Sequence, residues 1–155
     1  MKKFKPYIIS FIISFAVAGL GGLVTYLNLD RYDSLIKPPF SPPAFLFPVV
    51  WTVLFAAMAF SAARVYLASG AVKTPVLYIY AVQLILNLGW SVIYFGLGFY
   101  LFAFIWLLIL WGSVLAMIIL FYDKDKLSSV IQIPYLLWLS FAAYLNLAIY
   151  LINFT

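Results

Sequence analysis

The sequence contains no cysteine and no histidine, and only 8% of its residues are charged. These absences exclude disulfides, Cys or His nucleophiles, the usual zinc sites and the usual axial haem ligands, and we expect no metal site. All four acidic residues lie outside the apolar stretches: Asp30, Asp33, Asp123 and Asp125. Proton-coupled carriers normally keep a carboxylate within the membrane, so the sequence disfavours a proton-driven pump.

What the chain does have is apolar surface, with 68% hydrophobic residues in a length of 155. No soluble core hides that much, so lipid must act as part of the solvent. A transmembrane helix needs roughly 20 apolar residues. The sequence predicts a single transmembrane domain over residues 1–155, with helices at about 7–27, 44–67, 75–97, 99–122 and 129–153. Alternating barrel strands are absent, so the predicted fold is an all-α integral membrane protein, a five-transmembrane-helix bundle.

The basic residues predict the orientation of this bundle. Sorted onto alternate sides of five spans, seven of the nine share the side of the N-terminus, and only Arg31 and Lys37 lie opposite. Because cytoplasmic loops carry an excess of Lys and Arg, we expect a cytoplasmic N-terminus. This sorting and the proximity of anionic lipid account for the net charge of +5, and no basic stripe indicates nucleic-acid binding.

The first apolar stretch has two interpretations. A basic start, an apolar run and the sequence Ala16-Val17-Ala18 are typical of a cleavable signal peptide. We favour a first transmembrane helix, because the apolar character continues past Ala18 to Leu27. Small residues at i+4 spacing also suit close packing against another helix. They are Ser10, Ser14, Ala18 and Gly22.

Residues 28–43 form the one long loop, and its polar start is compatible with a short helix. Four prolines in six residues, from Pro38 to Pro43, fix φ and favour stiff extended backbone. The loop is either a semi-rigid lid over a pocket or a tight connector, and its composition leaves both open.

The third predicted helix carries a polar and aromatic stripe, Gln83, Asn87, Trp90 and Tyr94. Spacings of four, three and four place these residues on one face of the helix. Carboxamides facing lipid would be costly, so the stripe should face inward. Interhelical hydrogen bonding and ligand binding both remain open for these amides.

The second and fifth predicted helices carry matching aromatic stripes. That of the second helix comprises Pro48, Trp51, Phe55 and Met58, and that of the fifth comprises Trp138, Phe141, Ala142 and Leu145, with Asn146 at its border. Tryptophan in membrane proteins is often an interfacial residue, and Trp106 and Trp111 fit that role. Trp51, Trp90 and Trp138 are better pocket candidates, because each lies on an apolar stripe.

Four motifs resemble those of the TspO/MBR family of tryptophan-rich sensory and translocator proteins, also called peripheral-type benzodiazepine receptors. They are PPFSPP at residues 38–43, FPVVWT at 47–52, QLILNLGWS at 83–91 and PYLLWLSFAAYLN at 134–146. The resemblance covers essentially the whole chain. It implies a five-helix bundle, a homodimer, and a pocket beneath the loop between the first two helices.

The resemblance also implies a ligand class. Family members bind porphyrins, notably protoporphyrin IX, as well as isoquinoline carboxamide and benzodiazepine-type drugs, and some degrade porphyrin under light and oxygen. The matching pocket positions are Tyr32, Pro42, Trp51, Asn87, Trp90, Trp138, Ala142 and Asn146. The stripes add Phe55, Gln83, Phe141 and Leu145. By the same resemblance, Trp51 and Trp138 would carry the redox role in such a reaction.

The resemblance therefore implies a porphyrin-binding sensor or scavenger, with porphyrin as ligand or substrate and no required cofactor, and the distribution of lysines favours a bacterial plasma membrane. The alternatives are an uncoupled transporter of porphyrin or another amphiphile, and a structural membrane scaffold. Sterol-binding members carry a basic residue after a Leu/Val and Tyr pattern in the fifth helix. Here no basic residue follows Leu147 and Tyr150, so cholesterol binding is not expected.

Overall fold

The computed structural model describes residues 3–155, and these residues form helices and connecting turns without strands. The helices are α1 (Lys5–Leu27), α2 (Leu29–Asp33), α3 (Leu46–Ala68), α4 (Thr74–Ser91), α5 (Tyr100–Tyr122), α6 (Lys126–Ile131) and α7 (Ile133–Phe154). A π-helical segment, Val92–Leu97, extends α4. Within residues 3–155, five spans are long and apolar enough to cross a membrane, the third being α4 with its extension and the fifth α6 with α7. The predicted all-α membrane fold is confirmed.

Prolines mark the beginnings of α1, α3, α4 and α7. Pro6, Pro75 and Pro134 stand at the first or second position of α1, α4 and α7, and Pro48 lies in the first turn of α3. The first-turn amides have no partner within a helix, so proline costs no hydrogen bond there. All four prolines therefore start helices rather than interrupt them.

The fifth span begins earlier than predicted, at Lys126 rather than at about residue 129. The carboxylate of Asp125 caps α6 by accepting the backbone N–H of Ser128 at 3.2 Å. Arg64, near the end of α3, donates to the same carboxylate from Nε at 2.8 Å and Nη2 at 3.0 Å. The start of α6 is thus fixed to the end of α3. The second span differs less, since α3 begins at Leu46 rather than at residue 44.

The long helices pack in a ring: α1 lies against α3 and α4, and α5 lies against α4 and α7. One face of α5 is fully enclosed, through Leu107, Leu110, Val114 and Met117. Many of the large apolar side chains on the outer faces of α1 and α5 are exposed, as expected of helices whose solvent is lipid.

The small-residue stripe of α1 packs as predicted along only part of its length. Ser10 and Ser14 are buried, and the Ser14 hydroxyl is hydrogen-bonded to that of Tyr80 on α4. Further along, Gly21 rather than Gly22 meets α4, because a Cβ at Gly21 would lie 3.3 Å from the Ser91 hydroxyl oxygen. The close approach of α1 to α4 therefore lies at Gly21, which is not one of the residues at i+4 spacing. Gly22, which is, is exposed.

Candidate ligand-binding site

A cavity of about 490 Å³ lies between α1, α3, α4 and α7, at the end of the bundle covered by α2. Its wall is mostly apolar and aromatic, with carboxamides and hydroxyls at a few points. Nine of the predicted site residues line it: Tyr32, Trp51, Phe55, Asn87, Trp90, Trp138, Ala142, Leu145 and Asn146.

Three predicted residues lie outside the cavity wall. Pro42 belongs to the extended segment before α3. Phe141 packs beside Trp138 and Tyr144, with ring centroids 5.7 Å and 6.2 Å away, on a neighbouring face of α7. Gln83 is fully buried one helical turn below Asn87, in the part of the bundle that the cavity does not reach. These three predicted residues therefore do not line the cavity.

Aromatic rings form a continuous wall on the side of α3 and α4. The Trp51 ring lies 5.9 Å from Phe55 and 6.4 Å from Trp90, measured between centroids. Trp90 stacks on Tyr94 at 5.3 Å with an interplanar angle of 28°. Such offset contacts are favourable for aromatic pairs and present flat faces to a ligand.

Trp138 occupies a different part of the wall. Its ring meets Phe47 edge-on at 5.9 Å. Its indole nitrogen is buried and has no hydrogen-bond partner among the described residues. A buried N–H without a hydrogen-bond partner is unfavourable.

The amide of Asn146 holds the Trp90 ring in place. Its oxygen accepts the Trp90 indole N–H at 3.1 Å, and its nitrogen donates to the carbonyl of Tyr100 at 2.8 Å. Asn146 therefore ties α7 to α4 and α5 while bordering the cavity.

A second set of hydrogen bonds lies below the cavity and centres on Tyr135. Its hydroxyl accepts from the Asn87 amide at 2.8 Å and donates to the Gln83 oxygen at 3.0 Å. The Gln83 nitrogen has no partner among the described residues. Interhelical hydrogen bonding thus accounts for the inward position of both amides, and Asn87 also reaches the cavity.

The loop over the cavity is held at both ends. Arg31 Nη1 on α2 donates to the carbonyls of Phe95 at 3.2 Å and Gly96 at 2.7 Å. The Asn153 side chain accepts the Ile36 N–H and donates to the Ile36 carbonyl, each at 2.8 Å. The predicted short helix at the loop start is present as α2, and its residues Leu29, Tyr32 and Asp33 line the cavity.

Lys37 makes its contacts within this loop. Its ammonium donates to the carbonyl of Tyr32 at 3.1 Å and lies 4.6 Å from the centre of the Tyr32 ring. Burial, and secondarily the charge of Asp33, raise the pKa of the Tyr32 phenol, so it stays protonated. Tyr32 thus presents a half-buried phenol to the cavity.

The contribution of α1 was missed from the sequence. This helix lines the cavity with Val17, Ala18, Gly21, Gly22, Thr25 and Tyr26. Two of these, Ala18 and Gly22, belong to the small-residue stripe. Small side chains leave room for a cavity as well as for a neighbouring helix. Tyr94 was missed as a site residue as well, although it continues the stripe of Trp90.

The polar side chains at the cavity carry amides and hydroxyls, with the carboxylate of Asp33 at the edge. Within residues 3–155 no three carboxylates come together in a cluster that could hold a metal ion. A few oriented donors and acceptors in an apolar wall are typical of sites for small organic ligands.

Comparison with known proteins agrees with this architecture. The sequence profile of the TspO/MBR family matches residues 10–151. The chain is 40% identical to tryptophan-rich protein TspO of Chlorobaculum tepidum over 125 residues, which cover 79% of this chain and 78% of that protein. It is 37% identical to protein CrtK of Rhodobacter capsulatus, covering 92% and 90%, and 30% identical to the translocator protein of Sus scrofa, covering 86% and 84%. The chain therefore belongs to the TspO/MBR family.

Proposed function

We propose that this protein binds a porphyrin, such as protoporphyrin IX, in the cavity beneath α2 and acts as a membrane sensor or scavenger of that compound. The observation that carries the proposal is the apolar cavity of about 490 Å³ walled by three tryptophans. This volume lies within the roughly 300–1,000 Å³ range of small-molecule sites. The names of relatives, tryptophan-rich sensory protein and translocator protein, are in keeping with a small-molecule receptor.

The chemistry of the wall suits a flat ligand. The faces of a tetrapyrrole stack favourably on Trp51 and Trp90, while Arg31 and Lys37 supply positive charge beside the cavity, where propionates would meet the membrane edge. Isoquinoline carboxamide and benzodiazepine-type drugs share this flat aromatic shape. We propose that they occupy the same cavity.

Light-dependent degradation of the bound porphyrin is the second part of the proposal. An excited porphyrin takes one electron from a contacting indole and becomes a radical anion. The radical anion combines with dioxygen and takes up a proton, so that oxygen is added to the ring. The indole is left as a radical cation that must regain one electron from an external reductant. Trp51 and Trp138 are the proposed donors, because both line the cavity.

The test is a titration of purified protein with protoporphyrin IX, followed by illumination. We expect saturable quenching of tryptophan fluorescence and a protein-dependent loss of porphyrin absorbance in light and air. Trp51→Phe and Trp138→Phe should slow that loss. Trp111→Phe is the matched control, because Trp111 does not line the cavity. Its indole N–H donates to the Ser140 hydroxyl at 2.9 Å.

Each outcome separates the candidate functions. Absence of saturable binding contradicts the receptor and favours a scaffold. Binding without protein-dependent loss removes the degradation step. Flux of porphyrin into sealed vesicles, abolished by the cavity variants, would identify an uncoupled transporter instead.

We further propose a homodimer in a bacterial plasma membrane with the N-terminus in the cytoplasm. In the described part of the chain, Lys3, Lys5, Lys73 and Lys126 lie where helices begin, and Arg64 where α3 ends, all at the end opposite α2. Single cysteines are informative because the chain has none. Lys3→Cys should resist an impermeant maleimide in intact cells while Thr155→Cys reacts, and cross-linking in membranes reports the dimer.

A further inference from the structure

We propose that Trp51, Trp90, Tyr94 and Tyr32 form an electron-transfer row, through which an oxidised Trp51 is repaired from the membrane edge. The row protects the cavity against damage by the oxidising chemistry that it would host. The biological role of the row rests on the proposed photochemical function, because the excited ligand is the oxidant. The capacity of the row to transfer electrons does not depend on that function, because any one-electron oxidant near Trp51 would draw electrons through the row.

The geometry consists of three successive ring contacts. Centroid distances are 6.4 Å from Trp51 to Trp90, 5.3 Å from Trp90 to Tyr94 and 6.4 Å from Tyr94 to Tyr32. All four side chains border the cavity. Rings in direct contact are coupled far more strongly than rings separated by aliphatic packing, so the row is the short route from Trp51 to the loop.

The chemistry of the four rings determines the direction of electron transfer along the row. A phenol is easier to oxidise than an indole where its proton can leave, and Tyr32 is half-buried in α2 at the membrane edge. Trp90 keeps its N–H hydrogen-bonded to Asn146 at 3.1 Å, so an oxidised Trp90 remains a radical cation with full oxidising power. The oxidising equivalent therefore runs outward to Tyr32.

The balance of the process is one electron and one proton. The oxidant takes an electron from Trp51, and an electron from Tyr32 passes through Tyr94 and Trp90 to restore it. The phenolic proton of Tyr32 leaves to water. A soluble thiol then returns one electron and one proton to the Tyr32 radical.

Two neighbouring aromatic residues lack this route. Tyr135 touches Trp51 at 6.2 Å, but its hydroxyl donates to the Gln83 carboxamide, which is too weak a base to take the proton. Trp138 has the rings of Phe47 and Phe141 as its contacts, and phenylalanine does not relay oxidising equivalents. The row thus serves Trp51 and leaves Trp138 without repair.

The experiment uses an attached photo-oxidant and no porphyrin. Thr52→Cys supplies an exposed thiol next to Trp51 in a chain without cysteine, and a ruthenium polypyridyl complex is coupled there. After a flash with an electron-accepting quencher, we expect a tryptophan radical that decays as a tyrosyl radical rises, followed by optical absorption and electron paramagnetic resonance. The same complex coupled at Leu137→Cys should give a tryptophan radical at Trp138, and no tyrosyl radical should follow it.

Substitutions along the row decide the assignment. In the labelled protein, Tyr94→Phe should slow decay of the tryptophan radical at least about tenfold, a barrier change of about 1.4 kcal/mol. Tyr94→Trp restores an oxidisable ring and should restore the decay, which separates electron transfer from packing. Tyr32→Phe should remove the final tyrosyl signal. An unchanged decay in Tyr94→Phe, or loss of the tyrosyl signal in Tyr135→Phe instead, overturns the row.

Illumination of unlabelled protein with protoporphyrin IX separates the two proposals. If the ruthenium label shows transfer but porphyrin produces no tryptophan radical, the photochemical function fails and the row stands. If porphyrin oxidises Trp51 but Tyr32 never becomes a radical in either experiment, the row fails and the photochemical function stands.

Discussion

Replacement of Tyr135 by phenylalanine measures the value of one buried hydroxyl in the centre of the bundle. Only 1% of the Tyr135 surface is exposed. Its hydroxyl joins Asn87 at 2.8 Å and Gln83 at 3.0 Å, and so links α4 to α7. The substitution leaves the ring and removes both bonds.

The magnitude follows from the two lost bonds. In membrane bundles, side-chain hydrogen bonds contribute about 0.6 kcal/mol on average and up to about 1.7 kcal/mol each. Because the Gln83 nitrogen already has no partner in the described part of the chain, the substitution leaves this whole buried amide unsatisfied. We expect Tyr135→Phe to lower the free energy of unfolding by about 1–3 kcal/mol. Adding Gln83→Leu should recover part of that loss, because it removes the unsatisfied amide.

The assay is reversible unfolding in mixed micelles with increasing dodecyl sulfate. Tyr144→Phe is the matched control, since this exposed tyrosine makes one long bond of 3.3 Å to the carbonyl of Pro39 and should change stability by less than about 0.5 kcal/mol. The reasoning is refuted if the two single variants are equally stable, or if Gln83→Leu destabilises Tyr135→Phe further.

Two further predictions concern other parts of the bundle. The Arg64 guanidinium, aided by Ser128, holds the pKa of the Asp125 carboxyl at about 2, below its ordinary 3.8. The stabilisation that the ionised Asp125 carboxylate contributes to the fold is therefore complete above its ordinary pKa of 3.8 and is lost as the pH falls through about 2. Asp125→Asn should remove this loss, so that the melting temperature changes less with pH in this range. A Cβ at Gly89 would lie 2.7 Å from Trp106 Cζ2, so Gly89→Ala should cost about 1–3 kcal/mol. The control Gly112→Ala meets no atom within 4 Å and should melt no lower than the parent.

The polar stripe of α4 shows where prediction from the sequence succeeds and where it stops. Gln83 and Asn87 share one helix face, and both turn inward as expected. Only Asn87 borders the cavity, because the cavity occupies one end of the bundle. Periodicity fixes the direction of a side chain around its own helix, but the depth of a cavity depends on how the other helices diverge.

The sequence alone predicts the five spans and their all-helical character, because lipid leaves the backbone no partners except its own. It also determined which faces of α3, α4 and α7 turn inward, since amides and apolar stripes have few favourable orientations in a bilayer. The three-dimensional structure was needed to show that α1 completes the cavity wall, that Gln83 and Phe141 lie outside it, and that Trp51 and Trp138 have different aromatic neighbours. Those features depend on the rotation and tilt of one helix against another, which arise from packing across the whole bundle.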